Sequence, residues 1–488
     1  MLKKSKLFTI AALAALIGGH LASAQDSALL DLLVKKKVIT EQEAESTQSQ
    51  LAKEYASASA GKFNISTPVK QIRLYGDARL RYEWREGQAG GYTGSTNLAG
   101  YSNADQFRYR LRLGADVTLT DQWFLGVRLE TATNARSTNV TYGNGAANGA
   151  PFGKNQGGIY VGQAYLKYTP FDWLILTGGK IPNPFVTTPL VWDPDINPEG
   201  VAEQFKYTIG SFGGTADKVS ADGKSGVPAS SGVTVDLFAN FGQFIYDTAT
   251  PQNAYGASGK NDTWLFGYQV GAKANFCKST YLQVAPTLYN YSGSKGNDFN
   301  AIYSGDPGGN QTGINDLLVL DIPAEFGWTA FNLPFSIFGD FAYNIDGRAR
   351  ADAANAAAVR PGTGKSKFAS HAGAYDSLAW QAGLSVGKIK KKGDYSLSAY
   401  YQYSGAYSLD PNLIDNDIFD GHLNLQGVVF KAGYALTDAV TINLSYNHGR
   451  IINPALGTGG NGGTLSGSSV NPSLRDYNLL QADVNIKF

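Results

Sequence analysis

The sequence predicts an all-β fold: a transmembrane antiparallel β-barrel of about sixteen strands, preceded by a short helical segment. Three observations point to it. From residue 71 the chain is a long series of segments of about 9 to 15 residues in which apolar and polar positions alternate, the period of a strand with two unlike faces. Short turns alternate with long Gly/Asn/Ser-rich loops, the asymmetry of a barrel with one short-looped end. After residue 24 no run approaches the roughly 18 apolar residues that a membrane-crossing helix needs.

Residues 1–24 read as a cleavable export signal: Lys3, Lys4 and Lys6, the apolar run "LFTIAALAALIGG", and small residues at Ala22-Ser23-Ala24. Residues 25–60 form a helical segment and linker. Leu29, Leu30, Leu32, Leu33 and Val34 have helical spacing, "KKKVIT" interrupts them, and Thr40 with Glu43 makes a capping box for a second helix. "SASAGK" then supplies a flexible connector. The segment serves as a spacer or as a periplasmic contact element.

The barrel occupies 71–488. Its strands are expected at 71–84, 105–119, 122–133, 158–169, 172–181, 200–211, 232–246, 263–276, 280–292, 316–330, 334–346, 377–389, 394–406, 422–436, 439–451 and 475–488. Sixteen is an even number, as single-chain bacterial barrels require. Residues 212–231 should be a short turn by parity and are long, so either that turn carries an insertion or the strand list is wrong there. Trp84, Trp123, Trp173, Trp264, Trp328, Tyr168, Tyr281 and Phe488 fall near strand ends, where aromatic rings favour the membrane interface.

Composition agrees. Glycine supplies 58 of 488 residues, with 28 tyrosines and 24 phenylalanines, which fits many turns and interfacial rings. Net charge is +1 with the signal included, so nothing marks a nucleic-acid partner. A single cysteine, Cys277, excludes a disulfide framework.

The sharpest local feature is "DQFRYRLRLGADVTL" (105–119). Arg108, Arg110 and Arg112 share one face, about 7 Å apart along the strand, and Phe107, Tyr109, Leu111 and Leu113 share the other. Three guanidinium groups in a dry core would each cost several kcal/mol unless individually paired, so one side must be wet. Strand 71–84 repeats the scheme with Arg73, Arg79 and Arg81, and strand 122–133 adds Arg128. Neighbouring strands lie about 4.8 Å apart, so these residues should build one cationic patch on an inner wall, tempered by Asp77, Asp116 and Glu130.

"ALLDLLVKKKVITEQEAE" after the signal, "GGKIPNPFVTTPLVWDPDINPEGVA" (178–202) and a last strand ending on Phe488 resemble the putative porin family of Gram-negative bacteria. "KKKVIT" departs from the pattern, which has a glycine before the valine. The resemblance implies a homotrimeric channel in outer-membrane lipid that passes small hydrophilic solutes and ions by passive diffusion. It also implies a C-terminal strand read by the barrel-assembly machinery through Phe488. In sixteen-stranded general porins the third long loop folds into the lumen, its acids facing an arginine ladder. Here that loop, 182–199, holds five prolines and the acids Asp193, Asp195 and Glu199. The bland alternative for these acids is a surface loop, or a calcium site from Asp193, Asp195 and carbonyls.

A substrate-selective channel for anions, phosphate or sugars is the nearer rival function. A barrel enzyme is the more distant one. After the signal only His371, His422 and His448 remain, none with a serine and acid at triad spacing, and no metal or cofactor motif occurs. A closed anchoring barrel is a third reading.

Overall fold

A computed structural model describes residues 35–36, 47, 68–89, 101–133, 137–143, 157–212, 232–247, 263–292, 317–350, 374–453 and 474–488. The chain divides into Met1–Thr67 and Pro68–Phe488. Of the first unit only Lys35, Lys36 and Thr47 are described, so the export signal and the helical pair lie outside the described residues.

The second unit is one sheet of eighteen strand segments. In chain order they are β1 Gln71–Ala89, β2 Tyr101–Thr118, β3 Trp123–Ala132, β4 Val140–Thr141, β5 Gly158–Phe171, β6 Leu174–Lys180, β7 Glu199–Phe212, β8 Val233–Asp247 and β9 Thr263–Cys277. There follow β10 Thr280–Val284, β11 Thr287–Ser292, β12 Leu318–Ala330, β13 Leu333–Asn344, β14 Leu378–Gly387, β15 Tyr395–Ser404, β16 Leu425–Ala435, β17 Val440–Ile451 and β18 Leu474–Lys487. All pairings are antiparallel and β18 closes on β1, from Asp77↔Lys487 to Ala89↔Leu474.

The wall has sixteen strands, because β4 is a two-residue addition beside β2, and β10 with β11 are halves of one strand. Pro286 makes that break, since proline has no N–H to give the ladder. β7 and β8 pair directly from Gly200↔Phe244 to Phe212↔Val233, so no wall strand stands between them, and residues 213–231 lie outside the described residues. Each of the sixteen expected segments overlaps a wall strand.

The strands stand with their apolar faces outward. Leu74, Leu80, Phe107, Ile337 and Leu384 are each more than half exposed, as a lipid-facing surface requires. Trp123 stacks on Tyr168 at 4.3 Å and Phe171 on Trp173 at 5.1 Å near the short-turn end. Tyr281 departs from this girdle: its hydroxyl donates inward to Glu325. The tight turn at Phe331-Asn332 has both residues at positive φ (52° and 61°), matching the twist of a two-residue hairpin. At the closing seam Phe488 exchanges both backbone hydrogen bonds with Gly76, and its ring fills the place a Gly76 side chain would take.

Candidate functional site

The inner wall of β18, β1 and β2 carries the arginines. β1 and β2 pair so that Arg79 opposes Arg110 and Arg81 opposes Arg108. Like charges directly opposite repel, so the sheet holds this register only because acids intervene.

Two groups of them do. In the first, Asp77 bridges Arg110 at 2.8 Å and Arg112 at 2.7 Å, and Asp195 of the third loop sits 3.4 Å from Arg112 and 3.7 Å from Arg110. Thr138 Oγ1 donates to the other oxygen of Asp195 at 2.9 Å. In the second, Arg81 grips Asp483 of β18 through two nitrogens, at 2.7 and 2.9 Å, and donates to Asp417 at 2.8 Å. Arg79 donates to Asn485 at 3.0 Å and lies 3.7 Å from Asp483. Glu83, fully buried, receives Arg85 at 2.9 Å and lies 3.5 Å from Arg108, while Arg85 pairs with Asp420. Two arginines meet two carboxylates in the first group, and four meet four in the second. Each group is electrically neutral.

The expected cationic patch, tempered by acids but not cancelled, is instead a compensated network: Arg81, Arg108 and Arg110 are all below 10% exposed. Arg128 pairs locally with Glu130 at 2.9 Å, and Arg73, 69% exposed, pairs with Asp116 at the short-turn mouth.

The third loop lies inside the ring. Proline at 182, 184, 189, 194 and 198 denies it a regular ladder, and side chains of the wall supply its bonds instead. Gln269 of β9 both accepts from Val186 N–H at 2.9 Å and donates to its carbonyl at 2.8 Å. Thr188 donates to Asp340 of β13, and Gln163 of β5 donates to Asn197 at 2.8 Å. With Asp195 on β2, the loop spans from one side of the ring to the other. Phe185 and Trp192 pack on Phe244 and Tyr289 within an apolar cluster that holds it down.

Of the three acids expected in this loop, Asp195 faces arginines. Asp193, buried, accepts the Asp195 N–H at 2.8 Å, turning the chain. Glu199 stands apart: it is the first residue of β7, 64% exposed, paired with Lys180 at 2.8 Å. Among the described residues no group of three or more His, Cys, Asp or Glu could hold a metal ion.

A second inward segment went unread in the sequence. Residues 405–424, between β15 and β16, are nearly all buried. Tyr246 donates to Asp410 at 2.6 Å, Asn344 to the Tyr407 carbonyl at 2.8 Å, and Asn447 to the Asp417 carbonyl at 3.1 Å. It touches the third loop directly, Asp193 N–H to the Leu413 carbonyl and Asp415 N–H to the Pro189 carbonyl at 3.2 Å. Leu409, Leu413, Ile414 and Leu423 join the apolar cluster of Phe185 and Trp192. Burial pushes Asp415 up to about 6, with Asp417 adding to the effect against the pull of Lys431. Burial opposes ionisation of Asp417 as well, but Arg81 overcomes it and holds that carboxyl well below its usual range. The signal that could have revealed this segment is its density of Leu, Ile and Phe within a stretch otherwise rich in Asp, Asn and Gly.

Residues 95–316 match a protein family described as putative porin. Over these residues the chain resembles that family. The matched part contains the arginines of β2 and the whole third loop, while the segment 405–424 lies outside it. Among solved structures, the chain is similar to the high-pH structure of Pseudomonas putida OprB at 11% identity, covering 91% of this chain and 96% of that one, TM-score 0.43. In-vitro folded OmpT of Vibrio cholerae gives 10% identity over 88% and 100%, TM-score 0.40. Salmonella typhi OmpF in complex with daunomycin gives 11% over 87% and 99%, TM-score 0.39. No curated protein matches. The family match, with a closed wall apolar on its outside, indicates a bacterial outer-membrane channel rather than an enzyme.

Proposed function

We propose that the protein is a water-filled outer-membrane pore for passive diffusion of small hydrophilic solutes and ions, narrowed from within by residues 182–198 and 405–424. The observation that carries this reading is the third loop crossing a closed sixteen-strand ring and meeting Arg110 and Arg112 through Asp195. A loop held at both sides narrows a lumen without sealing its whole section. In this reading Arg110 and Arg112 against Asp195 set the charge at the narrowing, where fixed groups act on ions stripped of part of their water. Cleavage after Ala24, insertion through the strand ending at Phe488, and assembly as a homotrimer complete the proposal; they rest on the signal pattern and on the resemblance to porins.

The test is single-channel conductance in a planar bilayer under a salt gradient, on the wild type and on Arg110→Gln/Arg112→Gln. Stepwise conductance is expected, with a reversal potential that moves towards cation preference once Asp77 and Asp195 lose their partners. A folded wild type that passes no current would defeat the pore reading.

A further inference from the structure

The inner wall opposite the arginines has a different chemistry. Across β13 to β16, register aligns Ser336, Ser385, Ser398 and Lys431 in one row, with the hydroxyls of Ser336 and Ser385 2.7 Å apart. One row further along, Gln283 opposes Glu325 and Glu325 opposes Phe338. Tyr400 meets Phe338 edge to face at 5.7 Å. A cavity of about 320 Å³ lies against this wall and Thr188 of the third loop, lined by Gln283, Glu325, Phe338, Gln381, Ser398, Tyr400 and Lys431. Gln381 is 4% exposed, and its amide oxygen has no hydrogen-bond partner among the described residues.

We propose that the solute path runs along this wall, past Gln381 and Tyr400, and that uncharged polyhydroxylated solutes of monosaccharide size are the class it takes best. The proposal rests on the channel reading above and names the solute of that channel. Amide and hydroxyl groups replace the water shell of a neutral polyol bond for bond, including the acceptor that Gln381 leaves unmet. The edge-to-face pair of Phe338 and Tyr400 offers an apolar surface to the C–H face of a sugar ring. An ion gains less here. The two charged residues of the lining, Glu325 and Lys431, sit on strands four intervals apart, roughly 19 Å along the wall, so one small ion cannot use both. The arginines are already neutralised on the other side.

Lipid vesicles containing the full-length protein are loaded by uptake of labelled D-glucose, D-glucuronate or D-glucosamine, rings of one size that differ in charge, and KCl conductance is recorded on the same preparation. Glucose is expected to enter fastest. Gln381→Leu and, separately, Tyr400→Ala should each slow glucose about fivefold, the effect of one lost net hydrogen bond or its equivalent in contact. Ser398→Ala is a milder variant in case either fails to insert, and should slow glucose about twofold on the same basis. Glucuronate or glucosamine entering as fast as glucose overturns the proposal, as does glucose entry indifferent to the variants that insert. Absence of both KCl current and uptake in the wild type defeats the channel itself, a separate failure.

Discussion

The two halves of the inner wall contrast. From β18 through β2 it is dense in charge: the two neutral groups set six arginines against six carboxylates, with Arg81, Glu83 and Arg85 all below 5% exposed. From β12 through β16 it presents Glu325, Phe338, Gln381, Ser398, Tyr400 and Lys431 to a cavity. The charged half is where both inward segments are held by ion pairs: Asp195 comes from one, Asp417 and Asp420 from the other. Buried ion pairs of this kind contribute little net stability but make any alternative arrangement costly, because a lone buried charge is worse than a missing pair. Charge density on this barrel marks anchorage.

The largest expected effect comes from breaking the anchor. Arg81→Ala leaves Asp483 and Asp417 without their shared guanidinium in a site where Arg81 itself is 4% exposed. About 3–5 kcal/mol should be lost, read as a lower urea midpoint for the barrel in detergent or lipid. Asp417→Asn on the same background should cost less than on the wild type, because the charge it removes is already unpaired. Equal costs on both backgrounds would mean that Arg81 and Asp417 do not act as a unit and that the charged half is not an anchor.

The strands were legible in the sequence because alternation is local: in β1 and β2 each residue declares its face by its neighbours two positions away. The pairing of the arginines was not. Arg81 finds Asp483 at the other end of the chain, and no local pattern carries that information. The third loop was legible as stiff and acidic, yet which acid would face the arginines depended on where the chain re-enters the sheet. That point falls at Glu199 itself, which the ladder with Lys180 places on the wall. Segment 405–424 was missed because its bonds go to Tyr246, Asn344 and Asn447 on remote strands.

An intermediate effect concerns pH and sharpens the contrast between anchored and less firmly held acids. Asp417, paired with Arg81, stays ionised across the usual range, whereas Asp415 titrates near 6. A carboxyl raised in the folded state binds its proton more tightly there than in the unfolded chain. Its stabilising contribution is thus fully present below about 3.9 and lost as pH rises through about 6. Amide exchange in residues 405–424 should be slower at pH 5 than at pH 8 after correction for intrinsic rates, with a difference of up to about 2 kcal/mol in local opening. Asp415→Asn should flatten that difference. If the variant keeps the full pH dependence, another group holds the segment.

The smallest effect separates two acids that look equivalent in the sequence. Asp195 and Glu199 lie four residues apart in the same acidic loop, but Asp195 is one-fifth exposed against Arg110 and Arg112, while Glu199 is 64% exposed against Lys180. A surface pair of the latter kind is worth about 0–1 kcal/mol, and bulk salt screens its field within about 8 Å at physiological ionic strength. Asp195→Asn should therefore shift the reversal potential towards anion preference, since Arg110 and Arg112 lose a counter-charge. Glu199→Gln should leave both reversal potential and urea midpoint within error of the wild type. If Glu199→Gln moved selectivity as far as Asp195→Asn does, ions would have to pass close to the β6–β7 edge. The contrast between an acid held at the narrowing and one on the exposed edge would then fail.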